Sequence, residues 1–374
     1  MSDLTLILLS AGSSSRFDMD VKKQWLRINH QPLWNFVAQS LKNSHNFLKI
    51  IIVASKDDIA FMKIYENYTF VVGGNTRQQS LKNALKEVDS EFVLVSDIAR
   101  ACISENFLKE IISKKGQSDS IVPFLPVTDT IVYKNDTIDR TKVKKVQTPQ
   151  LSRTNILTKA LQSDKEFTDE SSAIVAYGGT RKFILGDEDA HKITHIKDLK
   201  KIPCLNAPSN DVFSGNGYDV HAFDDKGEMY LAGVKIESDF GFKAHSDGDV
   251  AIHSLIDALL GAAGMGDIGM LFPDNDEKYK NIDSKELLKI TVTKLYNFGF
   301  VIINVDITIT AEYPRVNKYK FQMRRVIANI LNIDASRVNI KATTTEKLGF
   351  IGRKEGVSVM SNANLKYFNW KMIG

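Results

Sequence analysis

The chain has 374 residues, 43% of them hydrophobic and 25% charged, with a formal net charge of +4. That length predicts two domains, the composition is ordinary for a globular protein, and the charge is too small to argue for nucleic acid. A cut near residue 210 leaves 29 basic against 24 acidic residues before it and 20 against 21 after it, so the first half is mildly basic, which suits anionic small molecules.

In chain order, Leu4–Leu9, Ile50–Val53 and Phe92–Val95 are short, near-continuous apolar runs, the pattern of buried parallel strands. Amphipathic stretches at Leu33–Leu41 and Arg77–Val88 alternate with them, which predicts an α/β domain around a doubly wound, mostly parallel sheet. Leu4–Leu9 is too short for a secretory leader, and nothing approaches a membrane span. Cys102 and Cys204 lie far apart without metal-ligand spacing and read as reduced thiols of a cytoplasmic protein. The segment 203–211 gathers Pro, Ser and Asn and reads as a linker between a domain over 1–202 and one over 212–374. The second domain predicts helices at Val250–Ala263, Ser284–Phe298 and Tyr319–Leu331, and strands at Val301–Thr310 and Val338–Thr345, an α+β pattern.

Ser10-Ala-Gly12-Ser-Ser-Ser-Arg16 follows the first strand, and Lys22-Lys23-Gln24-Trp25 comes shortly after. A loop of small residues leaving a buried strand can turn backbone N–H groups toward phosphate oxygens. Arg16 and Lys23 would then neutralise a triphosphate. The loop is not a P-loop, since no G-x-x-x-x-G-K-[ST] is present. Val95-Ser-Asp97 places an acid directly after a buried strand, where ligands gather in open α/β sheets, and its carboxylate suits magnesium. In Gly73-Gly74-Asn75-Thr76-Arg77, Asn75 or Thr76 reads as a helix cap.

In the second half, Asp219-Val-His221 in an extended segment puts both side chains on one face. With His253 at the start of a predicted helix it offers a zinc site with an open fourth position. Thr343-Thr-Thr-Glu346 sets hydroxyls and a carboxylate at a strand end, which suits phosphate and a hard cation. Gly215-x-Gly217 lacks the continuation of a dinucleotide fingerprint.

The motifs S-A-G-S-S-S-R, K-Q-W, G-G-N-T-R-Q-x-S, V-S-D-I-A-R, P-V-T-D-T, T-P-Q and T-D-E-S-S, over roughly residues 3–202, resemble 2-C-methyl-D-erythritol 4-phosphate cytidylyltransferase. The resemblance implies CMP transfer from CTP to methylerythritol phosphate, with pyrophosphate released. Gly12 would sit in the triphosphate loop, and Arg16 and Lys23 would stabilise the transition state at the α-phosphate. Arg140 and Lys192 would hold the phosphate of the alcohol, Thr130 would make a further substrate contact, and Asp97 would bind magnesium or manganese. This sequence departs from the family at Ser14, where a second Gly is common, and at Lys22, Trp25, Ser96, Ile98 and Ala101.

The motifs G-Y-D-V-H, A-H-S-D-G-D-V-A-I-H, D-A-L-L-G-A, G-D-I-G, L-F-P-D and T-T-T-E-K-L-G-F-x-G-R, over about 212–370, look like 2-C-methyl-D-erythritol 2,4-cyclodiphosphate synthase. That family closes a ring from the 2-phosphorylated CDP derivative and expels CMP. The resemblance implies zinc on Asp219, His221 and His253, and a second cation, magnesium or manganese, on Glu346. His245 and Thr344 would stabilise the transition state, with Thr343 beside them. Ser246, Asp267, Gly269, Phe272, Asp274 and Asp276 would contact methylerythritol, and Phe350 and Arg353 would make further substrate contacts. Ala311 to Asn317 would form the cytidine loop, with Tyr313-Pro-Arg-Val316 replacing the usual Ala-Pro-Lys-Met.

The resemblance further implies sites between subunits of a trimer, hence a homo-oligomer. The kinase step between the two reactions belongs to another protein, since no ATP-binding kinase motif is present, and nothing in the sequence marks an association with it. Two alternatives stand beside this reading. The first half could act on another polyol phosphate such as ribitol phosphate, or the second could be a non-catalytic module binding metal and CMP.

Overall fold

A computed structural model describes residues 3–373 apart from 226, 244–246, 274, 280 and 281. The chain divides into two compact units, Met1–Pro208 together with Asn369–Gly374, and Ser209–Phe368. A single cut at the linker therefore misplaces the end of the chain. Trp370 is buried in the first unit and its indole N–H donates to the Arg27 carbonyl at 2.8 Å.

Among the described residues the first unit holds an eight-stranded sheet. Leu4–Leu9 lies within it, parallel to Lys49–Ala54 on one side and Phe92–Asp97 on the other, and Thr69–Val72 forms the edge beyond Lys49–Ala54, again parallel. Beyond Phe92–Asp97 come the antiparallel strand Gln150–Arg153 and then Ser120–Pro126, which also pairs with Lys144–Val146 and Arg181–Leu185. All six residues of Leu4–Leu9 are buried, because helices cover both faces of a parallel sheet. On one face Ile7, Ile51, Val53 and Val95 pack with Leu81, Ala84, Leu157 and Ile174. The helices extend over Leu33–Ser44 and Arg77–Leu85, with Thr76 accepting the Gln79 N–H as the cap of the second. The C-terminal ends of Leu4–Leu9 and Phe92–Asp97 thus open onto the same edge, where Ser10–Arg16 and Asp97 emerge.

Cys102 and Cys204 correct the expectation of free thiols. They form a disulfide, with Cα atoms 5.8 Å apart across 102 residues of sequence. Spacing along the chain carries no information about such a return.

Among the described residues the second unit holds, besides the small hairpin Met229–Leu231 and Val234–Ile236, a five-stranded sheet in the order Gly241–Phe242, Val212–Asp224, Gly356–Tyr367, Phe300–Thr310 and Val338–Thr343. The last two strands pair in parallel and the other neighbours are antiparallel. Helix Val250–Ala263 lies across it, with the predicted limits. The glycine pair of Val212–Asp224 makes that packing possible. A Cβ on Gly215 or Gly217 would collide with backbone of the helix, at the Ala258 and Ser254 carbonyls respectively. Helices Ser284–Asn297 and Lys320–Leu331 complete the α+β unit.

Candidate active sites

The first site is a cavity of about 450 Å3 at the sheet edge, lined among others by Gly12, Arg16, Lys23, Arg77, Asp97 and Lys192. Four of those six carry positive charge, which suits a polyphosphate. Ser14 stands with φ of 59°, in the left-handed region that favours glycine, and this accounts for the glycine expected there. Its hydroxyl offsets part of the conformational cost by accepting the Lys23 backbone N–H at 3.1 Å. His195 Nδ1 lies 3.0 Å from the Arg16 carbonyl, and Lys23 Nζ donates to the Ile193 carbonyl at 3.1 Å, so the segment around residue 193 braces the loop.

Asp97, 8% exposed, accepts from Lys192 Nζ at 2.5 Å and from Arg77 Nε at 3.4 Å. Burial alone would raise its pKa, but Arg77 and Lys192 outweigh that and hold it at about 2. Burial, and then the like charges of Lys192 and Arg16, push the Lys23 ammonium below its ordinary value. Arg77 also donates to the buried Glu170 at 2.6 Å, and those two carboxylates outweigh its burial to raise its pKa. Sequence reasoning assigned Arg77 no role, although the motif contained it. Arg100, in the strand-end motif, is buried and structural, donating to Thr148 Oγ1 at 3.0 Å and the Ala190 carbonyl at 2.6 Å.

Thr130 and Arg140 do not line this cavity. Both are exposed, beside the hairpin Ile131–Tyr133 and Asp136–Ile138, and Arg140 donates to the Thr128 carbonyl.

The second site is the triad Asp219, His221 and His253, each offering one ligand atom within 4.8 Å of the others. Asp219 Oδ2 lies 3.2 Å from His221 Nε2 and 3.4 Å from His253 Nδ1. The strand supplies the first two on one face, and the helix supplies the third near its first turn. Asp249, fully buried, caps that helix through the Ala251 and Ile252 N–H groups and also accepts from Ala232 and Gly233 at 2.8 and 2.6 Å. Four N–H donors on one carboxylate pin the helix start, and with it His253.

The outward ring nitrogens are also held. His221 Nδ1 lies 2.8 Å from the Gly248 carbonyl, and His253 Nε2 lies 3.0 Å from Ser284 Oγ, which donates to Asp247 at 2.5 Å. Such partners orient a metal-binding imidazole. Burial would raise the Asp219 pKa, but hydrogen bonds from His221 and His253 hold it well below the carboxylate range. Two imidazole nitrogens and a carboxylate oxygen converging on one point form a donor set that fits zinc.

The remaining predicted residues are spread around the unit. Asp267 caps the short helix Ile268–Leu271 through the Met270 N–H at 2.8 Å, and Gly269 lies within that helix. Phe272 is buried against Tyr279, and Asp276 accepts the Lys278 N–H at 3.0 Å. Thr344 Oγ1 donates to Glu346 Oε1 at 3.0 Å after the strand carrying Thr343, and Glu312 accepts from the Thr345 and Lys347 N–H groups at 3.3 and 2.9 Å. Ala311 pairs with the Thr343 carbonyl at 3.0 Å, and Asn317 begins the helical turn before Lys320. Phe350 is exposed, and Arg353 pairs with Glu355 at 2.8 Å. Among the described residues, no hydrogen bond or ion pair joins Thr344 or Glu346 to the triad. His245, Ser246 and Asp274 lie outside the described residues.

Among the described residues, no helix is long and apolar enough to cross a membrane. Family models match both units: 2-C-methyl-D-erythritol 4-phosphate cytidylyltransferase over residues 4–204 and the YgbB family over 212–366. The chain is 70% identical over 370 residues to the bifunctional enzyme IspD/IspF of Sulfurimonas denitrificans, covering 99% of this chain and 96% of that one. It is 54% identical over 371 residues to the enzyme of the same name from Sulfurovum sp., covering 99% and 100%. The solved structure of the bifunctional IspDF from Campylobacter jejuni superposes with a TM-score of 0.92 at 49% identity, covering 99% of this chain and all of that one. With a family model matching each unit and relatives alike over their whole length, the chain belongs to the bifunctional IspD/IspF family.

Proposed function

We propose that the first unit transfers CMP from CTP to 2-C-methyl-D-erythritol 4-phosphate, and that the second cyclises the 2-phosphorylated CDP derivative to the 2,4-cyclodiphosphate and releases CMP. The observation that carries this reading is the pairing, on one chain, of a cationic cavity with a His-His-Asp triad.

In the first reaction a phosphate oxygen of the alcohol attacks the α-phosphorus and pyrophosphate leaves. The attacking phosphate is already a nucleophile, so positioning and charge neutralisation carry the catalysis. Arg16 and Lys23 neutralise the charge that develops. A triphosphate also relieves the crowding of Lys23 by Lys192 and Arg16. Lys192, drawn to the phosphate of the alcohol, would leave an Asp97 oxygen for magnesium or manganese, which would supply further countercharge. Arg140 and Thr130, outside the cavity of their own chain, would meet substrate only through movement or from another subunit.

In the second reaction the 2-phosphate attacks the β-phosphorus and CMP departs. Asp219, His221 and His253 would hold zinc, which supplies Lewis-acid charge when bound. Glu346 would hold a second cation and Thr344 would donate to a phosphate oxygen, with His245 as its counterpart. Ser246, Asp267, Gly269, Phe272, Asp274 and Asp276 would receive methylerythritol, Ala311 to Asn317 the cytidine, and Phe350 and Arg353 further parts of the substrate. On the family resemblance, a neighbouring copy would complete this site, giving a homo-oligomer built on trimers, in a cytoplasmic enzyme whose intervening kinase step belongs to another protein.

Metal content of the purified protein, CMP release from the 2-phosphorylated CDP derivative, and pyrophosphate release from CTP test this. Methylerythritol phosphate is expected to support pyrophosphate release and ribitol phosphate is not. Equal turnover of the two alcohols would refute the substrate assignment, and metal-bound protein that releases no CMP would refute cyclisation.

A further inference from the structure

Asp58 is a carboxylate buried to 1% exposure on the helix Lys56–Met62, and it does not line the cavity. Its Oδ1 accepts from Trp25 Nε1 at 2.9 Å and from Lys22 Nζ at 3.2 Å, and its Oδ2 accepts from Gln24 Nε2 at 3.2 Å. These three donors are the residues flanking Lys23, whose own side chain lines the cavity. One buried acid therefore gathers the side chains of Lys22, Gln24 and Trp25 around Lys23, and Gln24 itself also reaches the cavity wall.

The network continues into the phosphate loop. A carboxylate only accepts, so Gln24 must give its NH2 group to Asp58 and keep its carbonyl oxygen for another donor. That donor is Ser14 Oγ, 3.4 Å from Gln24 Oε1. With its proton committed there, the Ser14 oxygen accepts the Lys23 backbone N–H at 3.1 Å. The direction of every bond in the series follows from the acceptor-only character of Asp58. Desolvating an acid is costly unless its partners are well placed, so a buried carboxylate with three side-chain donors specifies their arrangement strongly.

We propose that Asp58 is a positioning residue for cytidylyl transfer, holding the Lys22–Trp25 segment and, through Gln24 and Ser14, the phosphate loop, so that Lys23 is preorganised toward the cavity. The proposal rests on the reading of Lys23 as the group that neutralises charge at the α-phosphate. A misplacement of about 1 Å in such a group costs up to about a hundredfold in rate.

The test uses the full chain, with activities normalised to the CTP-binding stoichiometry of each preparation and with cyclisation measured on the same sample as a control. Asp58→Asn is expected to lower kcat for pyrophosphate release by about tenfold or more while KM for CTP stays within about threefold, since the interaction matters at the transition state. Gln24→Met removes the connection to Ser14 while leaving Asp58 its Lys22 and Trp25 partners. It is expected to show the same kcat loss with KM for CTP within about threefold, and it decides the matter if Asp58→Asn does not fold. Because Gln24 also lines the cavity, a larger rise in KM with kcat kept overturns the positioning role. Lys23→Ala is measured in parallel. Reduced turnover in Lys23→Ala with undiminished kcat in the folded Asp58 and Gln24 variants overturns the positioning role alone. Wild-type turnover in Lys23→Ala overturns the role of Lys23 and this proposal with it.

Discussion

Asp97 shows how a residue at the cavity wall can be held ionised although it is buried. A buried carboxylate is costly unless cations accompany it, and here Arg77 and Lys192 accompany it so well that its pKa falls to about 2. The sign follows directly. In the unfolded chain Asp97 takes up its proton near its ordinary value of 3.8, whereas the folded form resists until about pH 2. Its stabilising contribution is therefore complete above about pH 4 and is lost as pH falls through that window. Acid unfolding of Asp97→Asn, followed by circular dichroism, should have a shallower pH dependence between about pH 4 and pH 2 than the parent chain. An identical slope would show that the carboxylate is not held in this way. Ser14 makes a related point, since a left-handed backbone is kept without glycine while its hydroxyl serves Lys23.

At the scale of elements, the Asp219, His221 and His253 triad depends on how closely one strand and one helix approach. Val212–Asp224 carries Asp219 and His221, Val250–Ala263 carries His253, and Gly215 and Gly217 remove the side chains that would keep them apart. In Gly217→Ala the new Cβ meets backbone atoms of Ser254 and Ala258, which cannot rotate away. Overpacking of this kind costs about 1–3 kcal/mol. Thermal unfolding of Gly217→Ala should show that loss together with weaker metal retention, while pyrophosphate release is unchanged. Unchanged stability would mean that the helix can retreat without cost. The Gly-x-Gly pair thus belongs to helix packing, in keeping with its failure to match a dinucleotide fingerprint.

At the scale of the molecule, the two reactions are assigned to units with separate sheets and separate sites. Asp219→Ala removes a proposed metal ligand from the second unit. It should abolish CMP release from the cyclisation substrate while pyrophosphate release stays within about twofold of the parent. Loss of both activities in a folded variant would disprove independent sites. The last residues qualify the division, because Trp370 buries its ring in the first unit although the preceding strand belongs to the second.

Much of this was legible in the sequence. The apolar runs and the 3.6-residue periodicity placed the central strands and Val250–Ala263, because burial imposes its pattern locally. The D-x-H pair and His253 could be read as one metal site because strand alternation and a helix start constrain directions over a few residues. Other features depended on approaches between distant segments, which local patterning does not encode. The Cys102–Cys204 bond, the grip of Lys192 and Arg77 on Asp97, the Asp58 network behind Lys23, and the return of Trp370 each join residues that folding alone brings together. Residue types and local order determined which chemistry the chain carries. Tertiary packing decided which charges are neutralised, and which nitrogen of each histidine faces Asp219, since both depend on burial and on partners far away in sequence.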